Sequence, residues 1–165
     1  MRPNALAMRD DTLTIVLVDD EEMVLTSLSS FLTLETDYLV KTFTSANEAL
    51  NFVRGKDIDL VMSDYLMPEM DGITFLAKVK ELQPEVPRII LTGYADKENA
   101  IKAINEVGLY QYIEKPWDND DLLIIMRNAL EKQVLMKKLQ QKISEINKAY
   151  ADLQGIHKEI VKTFI

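Results

Sequence analysis

The 165-residue chain is 47% hydrophobic and 28% charged, with a formal net charge of −8; that allows one domain of about 100–150 residues plus an appendage and excludes a disordered tail protein. It holds no cysteine and one histidine, His157, which excludes disulfides, thiolate metal sites, cysteine nucleophiles and multi-histidine metal centres. No apolar run approaches the roughly 20 residues of a membrane span and no signal-peptide core opens the chain, so a cytoplasmic protein without a membrane partner is expected.

Residues 1–12, with Met8 as a possible alternative start, show no period and read as a flexible leader. From Leu13 onward, short β-type runs alternate with helical patterns. The strands are expected at Thr14–Val18, Tyr38–Phe43, Asp59–Ser63, Arg88–Leu91 and Tyr110–Ile113. Several are apolar on successive residues, the mark of strands covered on both faces. Helices are expected at Glu21–Leu34, Ser45–Arg54, Gly72–Leu82 and Asp96–Val107, with a last one from about Asp118. Ser45 and Glu48 form a capping box, and acids crowd the start of the last helix, where the dipole favours them. Five βα repeats imply right-handed crossovers and a doubly wound parallel α/β sheet, whose ligand site lies beyond the carboxyl ends of the strands.

Those ends carry Asp19-Asp20-Glu21, Asp64, Thr92-Gly93 and Lys115-Pro116. If the fold holds, they converge on one pocket. Packed carboxylates repel one another unless a cation neutralises them, and with no histidine or cysteine nearby a hard ion, Mg²⁺ or Mn²⁺, is the natural choice. Carboxylate, metal, lysine and hydroxyl together make a phosphoryl-transfer set, with Asp64, standing after the central strand, as the nucleophile candidate. Any one of these acids alone would more simply be a turn former or a cap of the first helix. Their joint occurrence at consistent strand ends is what points to chemistry.

The segments Val18-Asp19-Asp20-Glu21, Ser63-Asp64-Tyr65-Leu66-Met67-Pro68-Glu69-Met70-Asp71-Gly72, Leu91-Thr92-Gly93 and Glu114-Lys115-Pro116-Trp117 resemble, in order and spacing, the CheY-like receiver domain of two-component response regulators. The resemblance covers about residues 13–130. It implies a five-stranded sheet of order 2-1-3-4-5 and an Mg²⁺-dependent transfer of a phosphoryl group from a sensor histidine kinase to Asp64. It further implies metal contacts from Asp19, Asp20, Asp64 and the Leu66 backbone carbonyl, with Asp20 direct and Asp19 largely through water. Lys115 and Thr92 would take phosphoryl oxygens, Tyr112 would be the switch aromatic, and Lys115-Pro116 would be a cis peptide. Leu66 and Tyr94, two positions after Asp64 and Thr92, are bulky and border the path of a hydrolytic water, so slow loss of the phosphoryl group is expected.

Of the 27 acidic and 19 basic residues, 4 acids and 7 bases lie from residue 131 onward. The acidic body lacks the clustered basic residues that a grip on phosphate backbones needs, so no direct nucleic-acid partner is expected, and the tail's lysines read as a solvated helix face. Met136, Leu139, Ile143, Ile146, Tyr150, Leu153, His157, Ile160 and Phe164 alternate spacings of three and four, an a/d seam whose frame continues back through Lys132, Ala129, Ile125 and Leu122. One long helix from about Asn119 to beyond Tyr150 is expected, with residues 131–165 a stalk pairing two copies as a parallel coiled coil. Lys142, Asn147 and Gln154 at the flanking positions give few opposed charges; His157 in the seam and Gly155 weaken the last turns. The seam reaches the last residues without a cap, as in a fragment of a larger regulator, and the Thr92–Asp96 and Lys115–Trp117 variants with a stalk are similar to regulators with an HD-GYP phosphodiesterase output. Two rival readings are a metal-dependent phosphatase with an aspartyl nucleophile, which would want an acid at position 66, and a phosphorylation-independent dimerisation module.

Overall fold

The computed structural model describes residues 12–164, so the leader expected at 1–12 lies almost wholly outside the described residues. Five parallel strands, β1 (Thr14–Val18), β2 (Leu39–Phe43), β3 (Leu60–Asp64), β4 (Arg88–Thr92) and β5 (Gln111–Glu114), form one sheet in the order β2-β1-β3-β4-β5. The helices are α1 (Glu22–Glu35), α2 (Ala46–Gly55), α3 (Gly72–Leu82), α4 (Lys97–Glu106) and α5 (Asn119–Phe164). The doubly wound sheet is therefore the one the repeats imply.

Side chains alternate across the sheet and build a core on each face. Val16, Val18, Val61 and Ile90 pack with Leu50 and Val53 of α2, Phe75, Leu76 and Val79 of α3, and Ala100 and Ala103 of α4. Ile15, Leu17, Leu60, Met62, Ile89, Leu91 and Ile113 pack with Leu25, Leu28 and Leu32 of α1 and with Leu122, Met126 and Leu130 of α5. Every residue of β3 and β4 is buried, which is why Leu60–Met62 and Ile89–Leu91 read as successive apolar residues rather than alternating ones. Full burial of a side chain such as Phe75 or Leu76 contributes about 1.5–3 kcal/mol each. Strand β2 lies at an edge, with Leu39, Lys41 and Thr42 exposed; a charge there discourages edge-to-edge pairing.

Boundaries lie one residue from the sequence expectation in β2, β3, β4, β5, α1, α2 and α4, and four of these shifts have a local reason. Asp59 stands before β3 because its carboxylate accepts the Thr14 amide at 2.8 Å. Asp64 and Thr92 are the last residues of their strands rather than the first beyond them, since Asp64 pairs with Leu91 and Thr92 with Glu114 in the ladder. Helix α4 begins one residue late, after a short 3₁₀ turn over Tyr94–Asp96. Ser45 does cap α2, accepting the Glu48 amide at 3.4 Å, and Asp71 caps α3, accepting the Thr74 amide at 2.7 Å.

The chain forms two compact units, one ending at Glu131 and one beginning at Lys132. In the second, Met136, Leu139, Ile143, Ile146, Tyr150, Leu153 and Ile160 are exposed along one helix, and so is His157. The earlier part of the same frame is already occupied: Leu122 and Ala129 are buried in the second core and Ile125 packs against it, so those residues cannot extend a seam to another helix. No described helix is long and apolar enough to cross a membrane.

Candidate functional site

The pocket lies at the carboxyl end of the sheet, where β1 and β3 carry acids side by side. Asp19 is 1% exposed and Asp64 9%, whereas Asp20 is exposed. One oxygen of each carboxylate lies within 4.8 Å of the others. Lys115, following β5, donates to Asp19 Oδ2 at 3.0 Å and lies 3.0 Å from Asp64 Oδ1. One ammonium thus holds both buried acids.

Asp19 does not cap α1. Its Oδ1 accepts the Glu21 amide at 2.9 Å, and Glu21, the residue before the helix, makes no capping contact of its own. The simple structural reading of the first acidic run therefore fails, and Asp19 Oδ2 stays turned to Lys115.

Electrostatics follow from burial. Burial pushes the Asp64 carboxyl above its ordinary value, the Lys115 hydrogen bond pulls it down, and the neighbouring charge of Asp19 pushes it up again; the net direction is up. Burial works against the Lys115 ammonium, but its hydrogen bonds to Asp64 and Asp19 outweigh that and hold it above the ordinary lysine range. A raised acid pKa means the ionised pocket is under-compensated by one lysine.

Two small residues let the chain turn tightly behind Asp64. A Cβ on Gly72 would overlap the Asp64 carbonyl oxygen and lie 3.2 Å from Ser63 Oγ, so only glycine lets α3 start this close to the strand. The Gly72 amide donates to the Tyr65 carbonyl at 2.8 Å, and the Ser63 hydroxyl donates to the Asp64 carbonyl at 3.0 Å. Gly72 was visible in the sequence as part of a turn; Ser63 was not, because a buried serine inside an apolar strand gives no periodic signal.

Thr92 is fully buried and its hydroxyl donates to the Gly93 carbonyl at 3.1 Å. Tyr112 is half-buried against the first core. Leu66, in the loop after β3, is 61% exposed, and Tyr94 is 83% exposed. The Lys115–Pro116 peptide is cis. The pocket therefore assembles Asp19, Asp20, Asp64 and Lys115 directly, while Thr92 and Tyr112 stand on β4 and β5 beside it.

Residues 15–127 match the family model of the response regulator receiver domain. The chain belongs to the receiver family of response regulators. It is 39% identical over 128 residues to the hydrogenase transcriptional regulatory protein HoxA of Cupriavidus necator, a match covering 78% of this chain and 26% of that protein. It is 34% identical over 155 residues to the response regulator protein TmoT of Ectopseudomonas mendocina, covering 94% of this chain and 70% of that protein. The chain thus spans about a quarter of the length of HoxA and most of TmoT. Among solved structures, the signal receiver domain of an HD domain-containing protein from Pseudomonas fluorescens Pf-5 is 39% identical with a TM-score of 0.70, covering 74% of this chain and 98% of that one. Receiver domains bind Mg²⁺ at an acidic pocket, and response regulators pair with histidine kinases. The donor set here, three carboxylates with oxygens within 4.8 Å of one another and no nitrogen or sulfur ligand, fits a hard divalent cation.

Proposed function

We propose that this receiver domain is a phosphoacceptor switch in which Asp64 takes a phosphoryl group from the histidine of a sensor kinase. The observation that carries this reading is the Lys115 ammonium 3.0 Å from both Asp19 and Asp64. It opposes the burial penalty on the Asp64 carboxylate and supplies a cation ready for phosphoryl oxygens. An Asp64 oxygen forms the bond to phosphorus as the phosphorus–nitrogen bond to the kinase histidine breaks, and the imidazole leaves with the nitrogen electron pair. Asp19, Asp20, Asp64 and the Leu66 carbonyl would hold Mg²⁺ or Mn²⁺, which when bound spreads the charge on the equatorial oxygens. Lys115 moves its hydrogen bonds to the new phosphoryl group, and the Thr92 hydroxyl leaves Gly93 to donate to it. Tyr112 follows, altering the α4–β5 surface.

A domain of this kind is a switch more than a turnover enzyme. The phosphatase reading finds no support at position 66, where an exposed leucine stands in place of an acid. The dimerisation-only reading leaves the Asp19–Lys115–Asp64 arrangement without a purpose. The exposed seam from Met136 to Ile160 supports a homodimer through a parallel coiled coil, with residues 13–130 as the receiver and 131–165 as the stalk. The signal would pass to an output module: HoxA, by its name a transcriptional regulator, supports a transcriptional one, and the receiver of an HD domain-containing protein supports one that carries an HD domain.

Incubation with acetyl phosphate and Mg²⁺, read by intact mass, tests the assignment. One added phosphoryl group is expected on the wild type and none on Asp64→Asn. No gain, or a gain that survives the substitution, overturns it.

A further inference from the structure

Lys97 opens α4, five residues after Thr92, and its ammonium reaches across to β5. It lies 3.3 Å from Glu114 Oε2 and 5.9 Å from the centroid of the Tyr112 ring. Tyr112 and Glu114 are two apart on one strand and share its face, so one cation engages both. The Glu114 carboxylate holds this ammonium above the ordinary lysine range. Glu114 is the ladder partner of Thr92 and the neighbour in sequence of Lys115. The contact therefore touches both arms of the pocket, β4 through the Thr92–Lys97 segment and β5 through Glu114.

Besides this contact, helix α4 is anchored by small side chains and by Ile104, partly buried against the first core. It fully buries only Ala100 and Ala103, whereas α3 buries Phe75, Leu76 and Val79. A helix with so little apolar burial has low local stability, and two positions of it differ by little. An exposed ion pair with a cation–π contact is modest in absolute terms. Against a shallow equilibrium it is enough to bias the outcome.

We propose that Lys97 is a positioning residue: it straps Tyr112 and Glu114 to α4 and favours the arrangement in which the Thr92 hydroxyl faces Gly93, thereby opposing phosphoryl occupancy of Asp64. This rests on the phosphoacceptor reading above. By linkage, a contact that favours one arrangement weakens any ligand that prefers the other by the same factor.

The probe is beryllofluoride with Mg²⁺, titrated into the full chain and followed by Trp117 fluorescence. Lys97→Met, which keeps the stem and removes the charge, and Glu114→Gln are each expected to lower the apparent Kd at least threefold. Lys97→Arg, which keeps both contacts, restores the wild-type value to within twofold. In a Tyr112→Ala background Lys97→Met changes nothing. A second readout needs no metal: with ¹³C-labelled tyrosine, Lys97→Met shifts or broadens the Tyr112 ring signals and leaves those of Tyr38 in place. An unchanged Kd in Lys97→Met, an equal effect without Tyr112, or unmoved Tyr112 signals overturns the proposal. Failure of the wild type to bind beryllofluoride, or binding that survives Asp64→Asn, instead overturns the phosphoacceptor reading, and the Tyr112 signals then decide the strap by themselves.

Discussion

Asp64 sits in a place that disfavours its charged form, and this has a measurable consequence. Burial raises its pKa above the ordinary 3.8, so the folded protein binds the Asp64 proton more tightly than the unfolded chain does. The penalty is full above the folded pKa, shrinks as pH falls through it, and vanishes below the unfolded value. In EDTA at neutral pH, Asp64→Asn is therefore expected to raise Tm by about 2–5 °C, and thermal melts down a pH series should show that advantage disappearing toward pH 4. A second residue-scale prediction concerns Leu66 and Tyr94, both exposed beside the strand ends. If Asp64 is the phosphoacceptor, bulk at these positions would restrict the approach of water, so Leu66→Asn with Tyr94→Ala should speed loss of the phosphoryl group about tenfold, a barrier change of about 1.4 kcal/mol, measured by intact mass against time. The acids and the lysine of the pocket were legible in the sequence because strand ends in this fold must converge. Lys97 was not, because its partners lie on β5 and nothing local to it marks a contact across two elements. Which carboxylate is buried was also hidden: Asp19 and Asp20 are identical in type, and the turn after β1 alone decides that the first points inward.

At the scale of elements, the tightest constraint is the approach of α3 to β3. Gly72→Ala would drive a methyl group into the Asp64 carbonyl and against Ser63 Oγ. The expected cost is about 2–4 kcal/mol, read as a lower urea midpoint, with phosphorylation slowed because the strand end must shift. Helix and strand positions were largely legible from periodicity and capping residues such as Ser45. The misplaced strand ends at Asp59, Asp64 and Thr92 share one cause: an acid or threonine at a strand terminus satisfies the rules for a turn as well as those for a ladder, and only the neighbouring strand selects between them. Asp59 resolved toward the turn through its hydrogen bond from the Thr14 amide, and Asp64 toward the ladder through its pairing with Leu91.

At the scale of the whole molecule, the exposed row from Met136 to Ile160 has to be covered if the stalk pairs copies. Ile146, 66% exposed, lies in the middle of the seam, and Ile146→Asp should convert a dimer to a monomer in sedimentation equilibrium while leaving acetyl phosphate labelling of Asp64 intact. The heptad frame of the stalk continues back into the receiver's own last helix, and the structure buries its first positions, Leu122 and Ala129, in the receiver core; the same apolar spacing serves both purposes. The sheet order carries a further consequence. Asp64, Thr92 and Tyr112 stand on three adjacent strands, β3, β4 and β5. The 48 positions that separate the first from the last along the chain reduce to two strand spacings, roughly 10 Å. A message passed from Asp64 to Tyr112, as proposed above, would thus run crosswise, over the hydrogen-bonded ladders and the side chains that lie on them, and the loops and helices that lengthen the covalent route can change in length without lengthening this one.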